Sequence, residues 1–347
     1  MTRFSTTGVW PGDEPRRAAS SAFTHLAEGL PSIPLVAVPA QGGTRWAVDS
    51  IGPAVSLLDQ LPADLGPFGW RLSRGAGRDV RVERSRFGRT LDAVAEYGEG
   101  FAGAALLSLP GPWTLARALS LPDSNRALSD PGAVRDIIQA YAAGVQALRE
   151  RCERLLGTRP RIRLWEPVLD QILTGSVPTV SGFRTLPALP ERTVLDALRS
   201  FLVRSGEGTL VTVPQLAAVR LAGKEVAHRE QLREAGVAAV CVPFAGLDLQ
   251  GWEELAQAQE AGTEVWVRLP ASAGEHPGDV KAWLAALTEP WKRIGMDVGS
   301  LAEFGILTGW ELPLDLPPLL PETAAPTAAE GGAMLASRIS QALKELA

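Results

Sequence analysis

Ala104-Ala105-Leu106-Leu107-Ser108-Leu109-Pro110-Gly111-Pro112-Trp113-Thr114-Leu115 is the stretch that decides the fold class. A short apolar run with no wet face suits a strand buried on both sides, as in a parallel sheet. Pro110, Gly111 and Pro112 stop it, and the run from Trp113 to Leu119 then reads as helical. One strand closed by proline and followed at once by a helix is a β/α unit.

Outward from it the same rhythm repeats. Strands are expected at residues 2–9, 33–38, 161–166, 209–213, 237–242, 264–269 and 304–307. Pro39, Pro214, Pro243 and Pro270 each close one of them. Helices are expected at 15–28, 51–61, 88–100, 191–203, 229–235, 249–261, 280–294 and 329–346, and the longest runs from Pro131 to Leu156. Ser129 or Asp130 caps that helix, and Gly157 ends it. Alternating Asp79-Val80-Arg81-Val82-Glu83, within an arginine-rich stretch at 68–86, predicts a strand with one solvated face in a hairpin or excursion from the repeat. A proline-rich connection is expected at 313–326.

Strand-helix alternation predicts parallel β/α units. No GxGxxG loop opens the first unit, so a closed (β/α)8 TIM barrel is expected over an open doubly wound sheet. No mid-chain linker appears, and residues 1–347 are read as one barrel domain. Function in a barrel sits at the C-terminal ends of the strands, which gathers Trp10, Pro110, Glu166, Pro214, Pro243, Pro270 and Thr308 around one mouth.

The formal charge of -5 disfavours nucleic acid and anionic lipid as general partners. There is no apolar run of the length a membrane span requires, and the polar start does not read as a signal peptide. Two distant cysteines, Cys152 and Cys241, need no disulfide framework and are expected as core fillers in a cytoplasmic protein. His25, His228 and His276 lie far apart, with His228 and His276 in polar connections and expected at the surface. No zinc-type spacing of Cys and His occurs, and no metal or other cofactor is expected. Most of the ten Trp are expected to fill core, with some lining a pocket. Glu166 is the most suggestive acid. At a strand end it can bind an ammonium group, accept a proton or pair with an arginine of the wall.

Several segments resemble cobalamin-independent methionine synthases and their short actinobacterial relatives. They are Gly8-Val9-Trp10-Pro11-Gly12, the Leu109–Leu115 stretch, Ser129-Asp130-Pro131, Trp165-Glu166-Pro167, Val177-Pro178-Thr179-Val180-Ser181-Gly182, and residues 291–295 and 305–309. The resemblance implies a (β/α)8 barrel of the uroporphyrinogen decarboxylase and methionine synthase kind. It also implies methyl transfer to a thiol held on zinc. Its zinc ligands, however, fall on Thr212 and Pro214, near Pro243 and Phe244, and on Thr308. The aspartate of its acidic pair falls on Trp165, while Glu166 is kept. The expectation is therefore a metal-independent barrel that binds a small molecule, a protein partner or a second copy. If the chain is an enzyme, Glu166 is its expected catalytic residue, orienting or deprotonating the substrate, with Trp10, Trp113, Trp165, Thr212 and Thr308 around that substrate. The alternative is an active methyltransferase with a folate or corrinoid donor and a different acceptor, its flat donor lying on Trp10, Trp113 and Trp165. A third class is a purely structural subunit.

Overall fold

The computed structural model describes residues 3–37, 51–58, 60–67, 69–75, 77–206, 208–221, 224–271, 279–311, 320 and 324–347. In chain order the first elements are β1 (Phe4–Thr6), β2 (Val9–Pro11), α1 (Pro15–His25), β3 (Leu35–Ala37) and α2 (Ile51–Ser56). A hairpin of β4 (Ala63–Gly66) and β5 (Gly69–Leu72) precedes α3 (Arg78–Tyr97). The chain continues through β6 (Leu106–Pro110), α4 (Pro112–Ala118), α5 (Pro131–Leu156), β7 (Arg161–Trp165), α6 (Leu169–Thr174), α7 (Glu191–Ser205) and β8 (Leu210–Thr212). A second hairpin, β9 (Ala218–Leu221) and β10 (Lys224–Ala227), leads into α8 (His228–Glu234). The remainder is β11 (Ala239–Pro243), α9 (Leu249–Glu260), β12 (Glu264–Leu269), α10 (Asp279–Arg293), β13 (Gly305–Thr308) and α11 (Pro326–Lys344).

Seven strands form one parallel sheet in the order β1-β13-β12-β11-β8-β7-β6. Residues 30–37 fill the gap between its two ends. Leu30 N donates to Phe4 O at 2.9 Å, Leu106 N to Pro31 O at 2.8 Å, and Ile33 N to Leu106 O at 2.9 Å. Higher up, β3 pairs with β2 in parallel. The result is the (β/α)8 barrel, with β1 and β2 as one strand broken at Gly8, whose φ of 86° is a left-handed turn that favours glycine.

Side-chain alternation sorts each strand into a lumen face and a helix face. Leu106, Leu210, Ala239, Cys241, Trp266 and Leu307 pack together in the lumen. Below them Arg161 Nη1 donates to Glu264 Oε1 at 2.8 Å, with its guanidinium 5.6 Å from the Trp266 ring centroid. A Cβ at Gly305 would lie 2.0 Å from that ring, so glycine there makes room for the Trp266 floor. Both cysteines are unbridged and buried, as expected. Asp130 caps α5 through Gly132 N and Ala133 N.

Two local expectations are corrected. Residues 78–97 form a helix, and the strand expected at 79–83 does not exist. Val80 is buried while Val82 is 48% exposed, a separation that a helix makes and a strand face would not. His228 is not at the surface. It opens α8, buried, with Nδ1 3.0 Å from Gln231 Oε1, and burial lowers its pKa. The β9–β10 hairpin that precedes it was not anticipated. His276 and most of the proline-rich connection lie outside the described residues, and no described helix is long and apolar enough to cross a membrane.

Candidate functional site at the barrel mouth

β7 carries the centre of the site. Its period of two sends Arg161, Arg163 and Trp165 toward the lumen and leaves Glu166, beyond the strand end, on the helix side. Arg163 is 1% exposed. Its Nε donates to Thr212 Oγ1 of the neighbouring strand β8 at 2.9 Å, and its Nη2 pairs with Glu311 Oε1. Arg268, the lumen residue near the end of β12, holds its Nε 3.7 Å from the same Glu311 oxygen and its Nη1 3.4 Å from Gly309 O. Among the described residues, two guanidinium cations thus face one carboxylate.

Beside this cluster lies a small concavity of about 30 Å³, open to solvent on one side. Val9, Ile33, Leu35, Phe87, Leu109 and Trp165 give it apolar walls, and Ser108, Arg163 and Glu311 give it a polar end. Ser108 Oγ and Arg268 Nε are buried with no hydrogen-bond partner among the described residues. Orphaned buried groups of this kind are uncommon and call for a cause.

Glu166 has a different situation. It is fully buried, and Oε1 accepts from Trp113 N at 2.8 Å. Oε2 accepts from Thr114 N at 2.9 Å and Thr114 Oγ1 at 2.6 Å. The carboxylate therefore closes the first turn of α4, whose N-cap is Gly111 and which has no other side-chain cap. A Cβ at Gly111 would lie 2.2 Å from Glu166 Cδ, so this contact requires glycine. Burial pushes the Glu166 carboxyl up to about 7, against the three hydrogen bonds that favour its ionised form. Tyr141, donating to Pro110 O at 2.7 Å, is raised well above the usual phenol value by burial and by Glu166.

The residues expected at the substrate divide accordingly. Trp165 lines the cavity, and Thr212 faces the lumen with its hydroxyl on Arg163. Trp10 is buried, its Nε1 3.3 Å from Ser32 Oγ, and Trp113 is buried beneath α7, donating to Val194 O at 3.2 Å. Thr308 points to the helix layer, 3.3 Å from where a Cβ on Gly332 of α11 would stand. Arg163, Arg268 and Ser108 were not singled out from sequence. The signal was an arginine at lumen positions of otherwise apolar parallel strands, Arg161-Ile162-Arg163-Leu164 and Val265-Trp266-Val267-Arg268.

The donor set does not fit a zinc-thiolate centre. Thr212 Oγ1 is engaged by a guanidinium, Thr308 faces outward, and Phe244 packs edge-on against Trp283 at 5.0 Å. The Cys241 thiol is pushed up to about 11 by burial. Among the described residues no three His, Cys, Asp or Glu gather where an ion could sit.

The sequence matches no protein-family profile and no curated protein. Solved structures do match. One is a methyltransferase from Methanosarcina mazei, with a TM-score of 0.48, 13% identity, and coverage of 94% of this chain and 85% of that one. Another is a B12-independent methionine synthase from Shewanella sp. W3-18-1 in complex with selenomethionine. It has a TM-score of 0.51, 13% identity, and coverage of 99% of this chain and 98% of that one. What this chain shares with the methionine synthase, over nearly the full length of both, is the barrel fold.

Proposed function

We propose that this chain is a methionine-synthase-like barrel that binds a small organic molecule at its mouth without a zinc-thiolate centre. The observation that carries this reading is the Arg163–Thr212 hydrogen bond. It puts a fixed cation against the position where the resemblance places the first zinc ligand. A divalent ion there would be repelled, and a thiolate would have no metal to be held by. The chain's own residues supply binding and orientation: Trp165 as an apolar plate, Arg163 as a cation, Ser108 as a polar contact. Elemental analysis of protein purified with zinc in the medium tests the reading. Zinc at well below one equivalent is expected, and tightly held stoichiometric zinc overturns it.

A second reading is a methyltransferase with a folate or corrinoid donor and an acceptor other than a zinc-bound thiol. The partly exposed Trp165 along an apolar wall favours it, because a flat donor stacks on such a surface. Turnover of methylfolate or methylcobalamin with a panel of thiols checks it. No turnover in any combination rejects it.

A further inference from the structure

We propose that two copies of this chain associate rim to rim, with Phe183 of each seated in the acid-rimmed pocket between α1 and α11 of the other. The proposal is independent of what the mouth site binds.

The inserting half is a prong. Residues 175–190 join α6 to α7, and connections longer than ~12–15 residues commonly have a function of their own. The tip is held by its own hydrogen bonds. Thr179 N donates to Arg184 O at 2.8 Å, Gly182 N to Thr179 O at 2.9 Å and Leu186 N to Val177 O at 2.8 Å. Arg126 Nε, donating to Pro178 O at 3.2 Å, ties the base to the connection between α4 and α5. On this frame Phe183 is 93% exposed and Val180 48%. An aromatic ring held in water by an ordered hairpin already has its bound conformation, so little ordering cost remains when it is buried. Arg184 follows it, exposed and with no ion pair among the described residues, and no acid occurs between Asp170 and Glu191.

The receiving half is a space of about 160 Å³ where α1 and α11 begin. Trp10, Pro11 and Pro326 give it apolar walls. A cavity of about 150 Å³ takes up a benzene ring, so the size suits a phenyl side chain. Arg17 in this pocket is answered by Glu330 at 3.5 Å, which also accepts from Ser21 Oγ at 2.9 Å. Asp13 and Glu14 on the rim are exposed and have no ion pair among the described residues. They offer two carboxylates to a cation that enters beside the ring. The segments after β3 and β13 that lie outside the described residues, 38–50, 312–319 and 321–323, carry Arg45 against Asp49, Asp315 and Glu322, so counting them leaves the balance acidic.

Prong and pocket both follow the C-terminal ends of barrel strands, which sets them on the mouth rim. The sheet order puts β7, which leads to the prong, across the barrel from β1 and β13, which flank the pocket. One two-fold axis therefore seats both prongs at once and closes the assembly at two copies. A single phenylalanine falls far short of the area that a stable interface buries, while two exchanged prongs with the rims between them suit a weak, reversible dimer.

Sedimentation velocity of the full chain, from ~1 to ~300 µM at low salt, tests the proposal. A reversible monomer–dimer equilibrium with a micromolar dissociation constant is expected, weakening as salt is raised. Phe183→Ser changes an exposed residue, leaves the fold intact and is expected to raise the dissociation constant about a hundredfold. Arg184→Glu alone, and Asp13→Lys combined with Glu14→Lys, are each expected to give a monomer. An equimolar mixture of those two proteins is expected to restore the dimer, because every prong then meets a rim of opposite sign. Wild type that stays monomeric over the whole range overturns the proposal. So does a dimer that Phe183→Ser leaves unchanged, a mixture no more associated than its components, or an assembly that grows past two copies.

Discussion

Arg163 and Glu166 stand three residues apart at the end of one strand, both buried, both ionisable, on opposite sides of the barrel wall. On the helix side, the Glu166 carboxylate meets three donors from α4. On the lumen side, Arg163 shares a single carboxylate with Arg268, while Ser108 Oγ and Arg268 Nε find no partner among the described residues. The difference is one of completeness. The residue kept from the resemblance has its hydrogen bonds closed by α4, while residues the resemblance does not involve keep donors to spare among the described residues.

The sharpest way to break this contrast is Gly111→Ala. Its Cβ would collide with the Glu166 side chain at 2.2 Å and push the cap off α4. A loss of about 4 kcal/mol is expected from overpacking together with unmade hydrogen bonds. It is read by urea unfolding, with ligand binding per folded molecule unchanged. A stable Gly111→Ala protein would mean that Glu166 can leave α4 and serve the lumen.

Arg163→Met is next. Removing one partner of a buried pair leaves Glu311 facing only Arg268 and costs about 3 kcal/mol. Here the loss of small-molecule binding at the mouth should exceed anything stability explains, the reverse of the Gly111 result.

Glu166→Gln keeps an acceptor for α4 and should cost about 2 kcal/mol near pH 5, where the native carboxyl is protonated. Its pH signature is more telling. The native carboxyl sits at about 7, above the ordinary value of 4.5, so between these values the folded state holds more protons than the unfolded. Glu166 therefore contributes most stability below about 4.5, and that contribution is lost as pH rises through about 7. Urea-unfolding free energies from pH 4.5 to 8 should show wild type falling relative to Glu166→Gln by an amount on the order of 3 kcal/mol. A parallel pair of curves would say that the three donors hold the carboxyl near its ordinary value. The smallest effect belongs to Thr308→Val. The Thr308 hydroxyl is buried without a partner among the described residues, so its removal should be neutral or stabilising by about 1 kcal/mol, with small-molecule binding at the mouth unaffected.

Much of the barrel was legible because its signals are local. Prolines mark strand ends at Pro110 and Pro243, Asp130 and Gly157 bracket α5 at the expected residues, and β12 coincides with its expected span. Residues 78–97 misled because the pair Val80 and Val82 fits a strand, while the longer spacing of Val80, Leu91 and Val94 is what the core reads. The β4–β5 hairpin overlaps the stretch at 68–86 where a hairpin or excursion was expected, while β9–β10 lies in a connection whose residues carry no strong period.

The site was legible only in part for a deeper reason. A parallel barrel strand is buried on both faces, so apolarity does not tell lumen from helix layer. Trp165 and Glu166 are adjacent in sequence and part company in space, and only the register of the closed barrel settles which enters the mouth. Arg163 depends on that register too. Its partners Thr212, Glu311 and Arg268 come from remote parts of the chain. What the sequence did offer was a charge in the middle of a buried strand, a departure from pattern strong enough to have been followed.

The Trp266 floor has a consequence for traffic. With Leu106, Leu210, Cys241 and Leu307 packed around that ring, the barrel axis is stoppered below the site. Among the described residues the way to Arg163 is from the mouth side, and whatever reaches it comes and goes by that doorway. Arrival and departure then share one path, and a second molecule waits until the first has gone. A crowded doorway would slow both rates together and leave the affinity untouched.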